Sequence, residues 1–103
     1  MPFDFQDFGG ILISSNAPRL GESDMRGERA HILAKIVNPA NKHHKWYVLE
    51  VDPDGTAFGW FQSLRDHGEY GNFNLFALAD KGMVQENMES ETIASLRECG
   101  LIG

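Results

Sequence analysis

Cysteine is nearly missing from this 103-residue chain, in which Cys99 stands alone. One thiol cannot form an intrachain disulfide or a Cys-cluster metal site, so both are excluded. Cys99 falls near the end of an expected helix, where an inert thiol is the ordinary state. Long apolar runs are missing as well, and none approaches the roughly 18 residues of a membrane span. Residues 1–10 carry Asp4 and Asp7 where a secretory leader would have a basic start and an apolar run. No membrane partner is expected, and the expected location is cytoplasmic.

Positive charge is scarce. Nine Lys and Arg residues face fifteen Asp and Glu, giving a formal net charge of −6. From Trp46 onward, Glu50, Asp52, Asp54, Asp66, Glu69, Asp80, Glu86, Glu89, Glu91 and Glu98 are opposed only by Arg65, Lys81 and Arg97. Nucleic-acid binders need a basic footprint that releases counterions from phosphate, so direct nucleic-acid binding is disfavoured. Its one opening is the stretch Arg29, His31, Lys35, Lys42, His43, His44 and Lys45, should that fold into one patch. No Gly-Lys-Ser/Thr phosphate loop and no internal repeat is present.

What is there reads as one globular domain over residues 1–103, with 42% hydrophobic and 23% charged residues. Phe3 and Phe5 alternate with polar residues in an N-terminal arm over residues 1–10, either a short edge strand or a packed arm, which Gly9-Gly10 breaks. Residues 11–13 are a short apolar run. Residues 14–27, rich in Ser, Gly, Pro and charge, form a loop long enough to be a binding loop or a mobile one.

The strongest pattern lies in residues 31–75. Residues 31–37 (HILAKIV) end at Asn38-Pro39, residues 45–51 (KWYVLEV) end at Asp52-Pro53-Asp54-Gly55, and residues 56–62 (TAFGWFQ) follow at once. Strand-like runs joined by short turns predict an antiparallel meander. Apolar residues occupy both alternating sets, so the sheet is expected to be covered on both faces. Residues 63–70 read as a polar loop, 71–75 as a fourth strand and 76–80 as a short helical turn. Met88, Thr92, Leu96 and Cys99 recur at helical spacing, which predicts a C-terminal helix over residues 88–99 closed by Gly100. The expected class is therefore α+β: an antiparallel meander of about three to five strands with a C-terminal helix packed on it.

Few groups suggest chemistry. His43 and His44 lie between two of the expected strands and read as an exposed hairpin loop; on a strand, adjacent histidines would point to opposite faces, and lysines flank them, so a shared metal is not expected. Asp52-Pro53-Asp54-Gly55 lacks the later carboxylates of a calcium loop and reads as a hairpin turn. Glu50 is expected on the face of Trp46 and Val48, where aromatic neighbours would desolvate a carboxylate, with Glu69 and Tyr70 as further polar groups; pairing with Lys35 or Lys45 is the structural alternative. The aromatics Trp46, Tyr47, Phe58, Trp60, Phe61, Tyr70 and Phe73 are mostly needed for the core.

The segments Ala34-Lys35-Ile36-Val37-Asn38-Pro39, Lys45-Trp46-Tyr47-Val48-Leu49-Glu50, Phe58-Gly59-Trp60-Phe61 and Glu69-Tyr70-Gly71-Asn72-Phe73-Asn74-Leu75 resemble a small family of unknown function, domain number twenty-nine fifty-eight. Pro18-Arg19-Leu20 matches its Pro-x-Leu, whereas Glu69-Tyr70-Gly71 departs in the order of Gly and Tyr. The resemblance implies a setting, the accessory cargo of plasmids and phages, and no activity.

The resulting expectation is a non-catalytic accessory protein of a mobile genetic element, with no cofactor and no metal. It would bind and occlude a protein partner, such as a restriction or CRISPR component of the host, through Trp46, Glu50, Asp52, Asp54, Asp66, Glu69 and Tyr70 or through the loop at 14–27. Acids gathered on one face would let it imitate a phosphate backbone for a DNA-binding target. The alternatives are a small hydrolase or transferase using Glu50 with a tyrosine, and a homo-oligomeric module such as a homodimer.

Overall fold

A computed structural model describes residues 5–14, 17–21, 31–64, 67–86 and 92–98. The chain runs β1 (Phe5–Asp7), β2 (Leu12–Ser14), β3 (Ala34–Asn38), β4 (Asn41–Val51), β5 (Thr56–Leu64), β6 (His67–Asn74), α1 (Leu75–Asp80), β7 (Val84–Glu86) and α2 (Ile93–Glu98). β1 and β2 form a separate hairpin, and the other strands form one antiparallel sheet in the order β6-β5-β4-β3-β7. The expected antiparallel meander is β3 to β6; β7, which follows α1, returns to the far edge beside β3.

Local chemistry explains the turns. In the β4–β5 turn, Gly55 N–H donates to Asp52 O and Asp52 N–H to Thr56 O, while the Asp54 carboxylate accepts from Thr56 N–H at 2.9 Å. Those Thr56 hydrogen bonds hold the exposed Asp54 carboxyl below its ordinary value of 3.8. A lowered folded-state pKa gives a stabilising contribution that is present above the unfolded-state pKa and lost as pH falls through the folded one. Asp54→Asn is therefore expected to match the parent more closely at about pH 3 than at about pH 6 in urea melts. An undiminished gap at low pH would show that the turn does not draw on this carboxylate.

The short helices are held by their caps. Asn74 accepts from Ala77 N–H at the start of α1. Thr92 and Ser95 exchange side-chain and backbone hydrogen bonds at the start of α2. Of the helix expected over residues 88–99, the described part is α2, and residues 88–91 and 99 lie outside the described residues.

Both sheet faces are covered, as the apolar pattern implies. On the first face Ala34, Ile36, Val48, Val51 and Ala57 pack under Phe8, Ile11 and Ile13 of the hairpin segment and Leu75 and Leu78 of α1. On the second, Tyr47, Leu49 and Trp60 pack with Ile32 and with Ile93 and Leu96 of α2. Arg97 of α2 sits 5.0 Å from the centre of the Trp60 ring.

A bulge in β4 decides which side chains go where. Val48 lies opposite Gly59, but Glu50, not Leu49, lies opposite Phe58. The extra residue restores Val51 to the first face and puts Glu50 on the second. The expectation that Glu50 shares a face with Trp46 and Val48 is corrected by that one-residue shift.

Three further expectations change. Residues 63–70 are mostly strand, not loop: β5 runs on to Leu64 and β6 starts at His67. β4 begins at Asn41, so His43 and His44 belong to a strand. β7 was not expected, because three exposed residues carry no apolar alternation.

Candidate functional site

The sequence-predicted residues do not converge. Glu50 is 1% exposed and works as a tether. Its Oε1 accepts from Gly21 N–H at 2.9 Å, Asp52 Oδ1 accepts from Leu20 N–H at 3.0 Å, and Val51 N–H donates to Pro18 O at 3.0 Å. The two carboxylates thus fasten residues 18–21 along the end of β4. The remainder of the loop expected at 14–27 lies largely outside the described residues.

Tyr70 stands two strands from Glu50, with Phe58 between them. Phe58 is paired with Glu50 across β4–β5, and Tyr70 stacks on it at 5.9 Å and 8°. Tyr70 also meets Trp60 edge-on at 4.8 Å. Asp54 sits exposed in the β4–β5 turn. Asp66 lies outside the described residues.

Trp46 and Glu69 belong to the first face, at the opposite end of the sheet from the Asp52–Gly55 turn. Trp46 stacks on Phe61 at 5.0 Å and 25°, His44 meets both rings edge-on, and Glu69 is exposed opposite Phe61. His44 shares the face of Trp46, whereas Lys35 and Lys45 line a depression with Val37 on the other, and Lys35 is bridged to Glu86 at 3.2 Å. Among the described residues the basic stretch therefore does not fold into one patch.

Because Glu50 tethers a backbone segment, Glu50→Gln is expected to lower folding stability by about 1 kcal/mol, the difference between a charge-assisted and a neutral hydrogen bond. Chemical denaturation checks this. An unchanged midpoint would mean that the tether contributes nothing and that the buried carboxylate is kept for another purpose.

A different surface stands out. Among the described residues the exposed large hydrophobics are Phe5, Leu12, Phe76 and Val84, each 44% to 55% exposed. Phe5, Leu12 and Phe76 lie on the layer over the first sheet face, formed by the β1–β2 hairpin and α1, whereas Val84 belongs to the edge strand β7 and, opposite Val37, turns to the second face. Asp7 is paired opposite Leu12 on the outer side of the hairpin. Gly9 and Gly10, with φ of +74° and +110°, turn the chain between β1 and β2. Such angles suit glycine, and the lack of side chains there keeps the layer low.

Gly9 borders two shallow grooves. One, of about 650 Å³, is lined with Phe76, Ala77, Ala79 and Asp80. The other, of about 360 Å³, is lined with Gly10, Ile11, Met83, Val84 and Gln85. The Gln85 amide joins hairpin to sheet by accepting from Leu12 N–H at 2.8 Å and donating to Leu12 O at 3.0 Å. Sequence reasoning missed this site. Its signal was Gly9-Gly10 between two short alternating runs, which is a hairpin signature.

Among the described residues no group of three or more His, Cys, Asp and Glu side chains gathers as a metal site. No helix among them is long and apolar enough to cross a membrane. No family model, curated protein or solved structure matches the chain.

Proposed function

We propose that this chain is a small, acidic, non-catalytic accessory protein that binds and occludes a protein partner through the apolar layer of β1, β2 and α1. The observation that carries the reading is the placement of Phe5, Leu12 and Phe76 on one layer around a glycine turn. Contiguous apolar surface on a small domain marks an interaction site, whereas scattered apolar residues need no explanation.

The family resemblance supplies a setting for such a protein, a mobile genetic element whose product meets a component of host defence. Imitation of a phosphate backbone draws little support. Glu50 is buried, Asp52 is engaged by Leu20, Asp54 is at a turn and Glu69 is on the far strand.

The test is affinity capture from lysate of the natural host with the tagged protein and with a Leu12→Ser/Phe76→Ser variant. Both side chains are about half exposed, so the variant is expected to stay folded, which a thermal melt checks. A stoichiometric partner held by the parent and lost by the variant is the expected result. A partner retained by the folded variant, or no partner from either protein, would end this reading.

A further inference from the structure

We infer that the segment received by this layer is amphipathic and basic, with apolar side chains entering the grooves beside Gly9 and Lys or Arg facing Asp7 and Asp80. The inference rests on the binding reading above and names the chemistry of the partner. Asp80 lines the first groove at the end of α1, next to exposed Phe76 and Ala77. Asp7 is exposed on the outer side of the hairpin, where it lies opposite Leu12. One of its oxygens accepts from Gly10 N–H at 2.6 Å, which orients the carboxylate beside the glycine turn. Lys81, exposed after α1, is the cation beside Asp80.

Exposed apolar side chains that each have a carboxylate beside them, Leu12 with Asp7 across the hairpin and Phe76 with Asp80 along one groove, select against acidic segments, because a like charge brought there is repelled and an opposite one is attracted. The same argument sets aside a second copy of this chain. A two-fold pairing would set one acid-bearing layer on another, between molecules that each carry a formal charge of −6.

The probes are three short labelled peptides: an amphipathic Leu/Lys helix former, its Leu/Glu counterpart with the same apolar positions, and a Ser/Lys control. Each is titrated into the full chain and followed by anisotropy and amide NMR. The Leu/Lys peptide is expected to bind at least about tenfold more tightly than either control, with shifts gathered at Gly9, Gly10, Leu12, Ala77 and Asp80. An Asp7→Asn/Asp80→Asn variant, in which the Asn at position 7 keeps an acceptor for Gly10 N–H, is expected to weaken it about three- to tenfold. Raised salt is expected to do the same.

Equal binding of the Leu/Lys and Leu/Glu peptides, binding by none, or shifts centred on Trp46 and Phe61 would overturn the inference. So would a concentration-dependent dimer in sedimentation that Phe76→Ser abolishes, since the occupant would then be a second copy. If the peptides fail to discriminate while Leu12→Ser/Phe76→Ser still loses the host partner, the binding reading stands and only the basic character of the partner falls.

Discussion

Gly59→Ala is expected to destabilise the fold by about 3 kcal/mol or more, which for a domain of this size is a large share of a total of roughly 5–15 kcal/mol. A Cβ on Gly59 would lie 1.9 Å from Tyr47 O and 2.9 Å from Tyr47 C. Both atoms are backbone, so no rotamer change relieves the overlap. Gly59 faces Val48 immediately before the β4 bulge, and the bulge draws β4 close over it. Relief means parting the two central strands or undoing the bulge, and undoing it would move Glu50 away from Gly21.

Gly71 is the matched control. It lies opposite Gly59 across β5–β6, yet nothing stands within 4 Å of where its Cβ would be. Gly71→Ala is expected to be neutral or slightly stabilising, because alanine loses less backbone freedom on folding. Thermal melts of the two variants make the comparison: a fall of more than about 10 °C for Gly59→Ala against little change for Gly71→Ala. Equal behaviour of the pair would mean that the close approach at Gly59 is not a feature of the fold.

That contrast marks where the sequence was legible. Alternation and turn residues located β3, β4 and β5 and the turn at Asp52–Gly55, because each strand buries both of its side-chain sets and each turn residue has a local cause. Gly59 and Gly71 look alike in sequence, and only the register at the bulge tells them apart. The same bulge sent Glu50 to the face opposite the one that strict alternation assigns. Polar residues 67–70 hid the start of β6 because it is an edge strand, where Glu69 can be polar without penalty.

The candidate site was harder still. Phe5 and Leu12 were legible as apolar residues in short runs, but their joint exposure with Phe76 depends on the β1–β2 hairpin docking beside α1 over the first sheet face. That docking is a long-range event with no local signature. The acids of the second half were legible one by one, whereas the duty of Glu50 and Asp52 depends on residues 18–21 arriving from about thirty positions away.

Phe8→Ala is expected to cost about 3–5 kcal/mol and to remove partner binding with it. Phe8 is 1% exposed and packs in the first-face core with Ile11, Ile13 and Leu75, its ring edge-on to Phe76 at 5.5 Å. Its N–H donates to Ile11 O, so the same residue closes the glycine turn and anchors it. Strands of three residues cannot sustain a hairpin by themselves, so the docking of β1 and β2 depends on this side chain and its neighbours. Truncating it loosens the layer that carries Phe5, Leu12 and Asp7. Leu96→Ala, on the side of α2 that packs on the second face, is expected to cost about 2–5 kcal/mol and to leave partner binding intact at temperatures where the protein is folded. Denaturation midpoints together with amide exchange at residues 5–14 separate the two cases. If Phe8→Ala changes stability by less than about 1 kcal/mol, the hairpin is held by other means. If both variants lose binding equally while folded, the partner does not distinguish the two faces, and the apolar layer loses its claim as the docking surface.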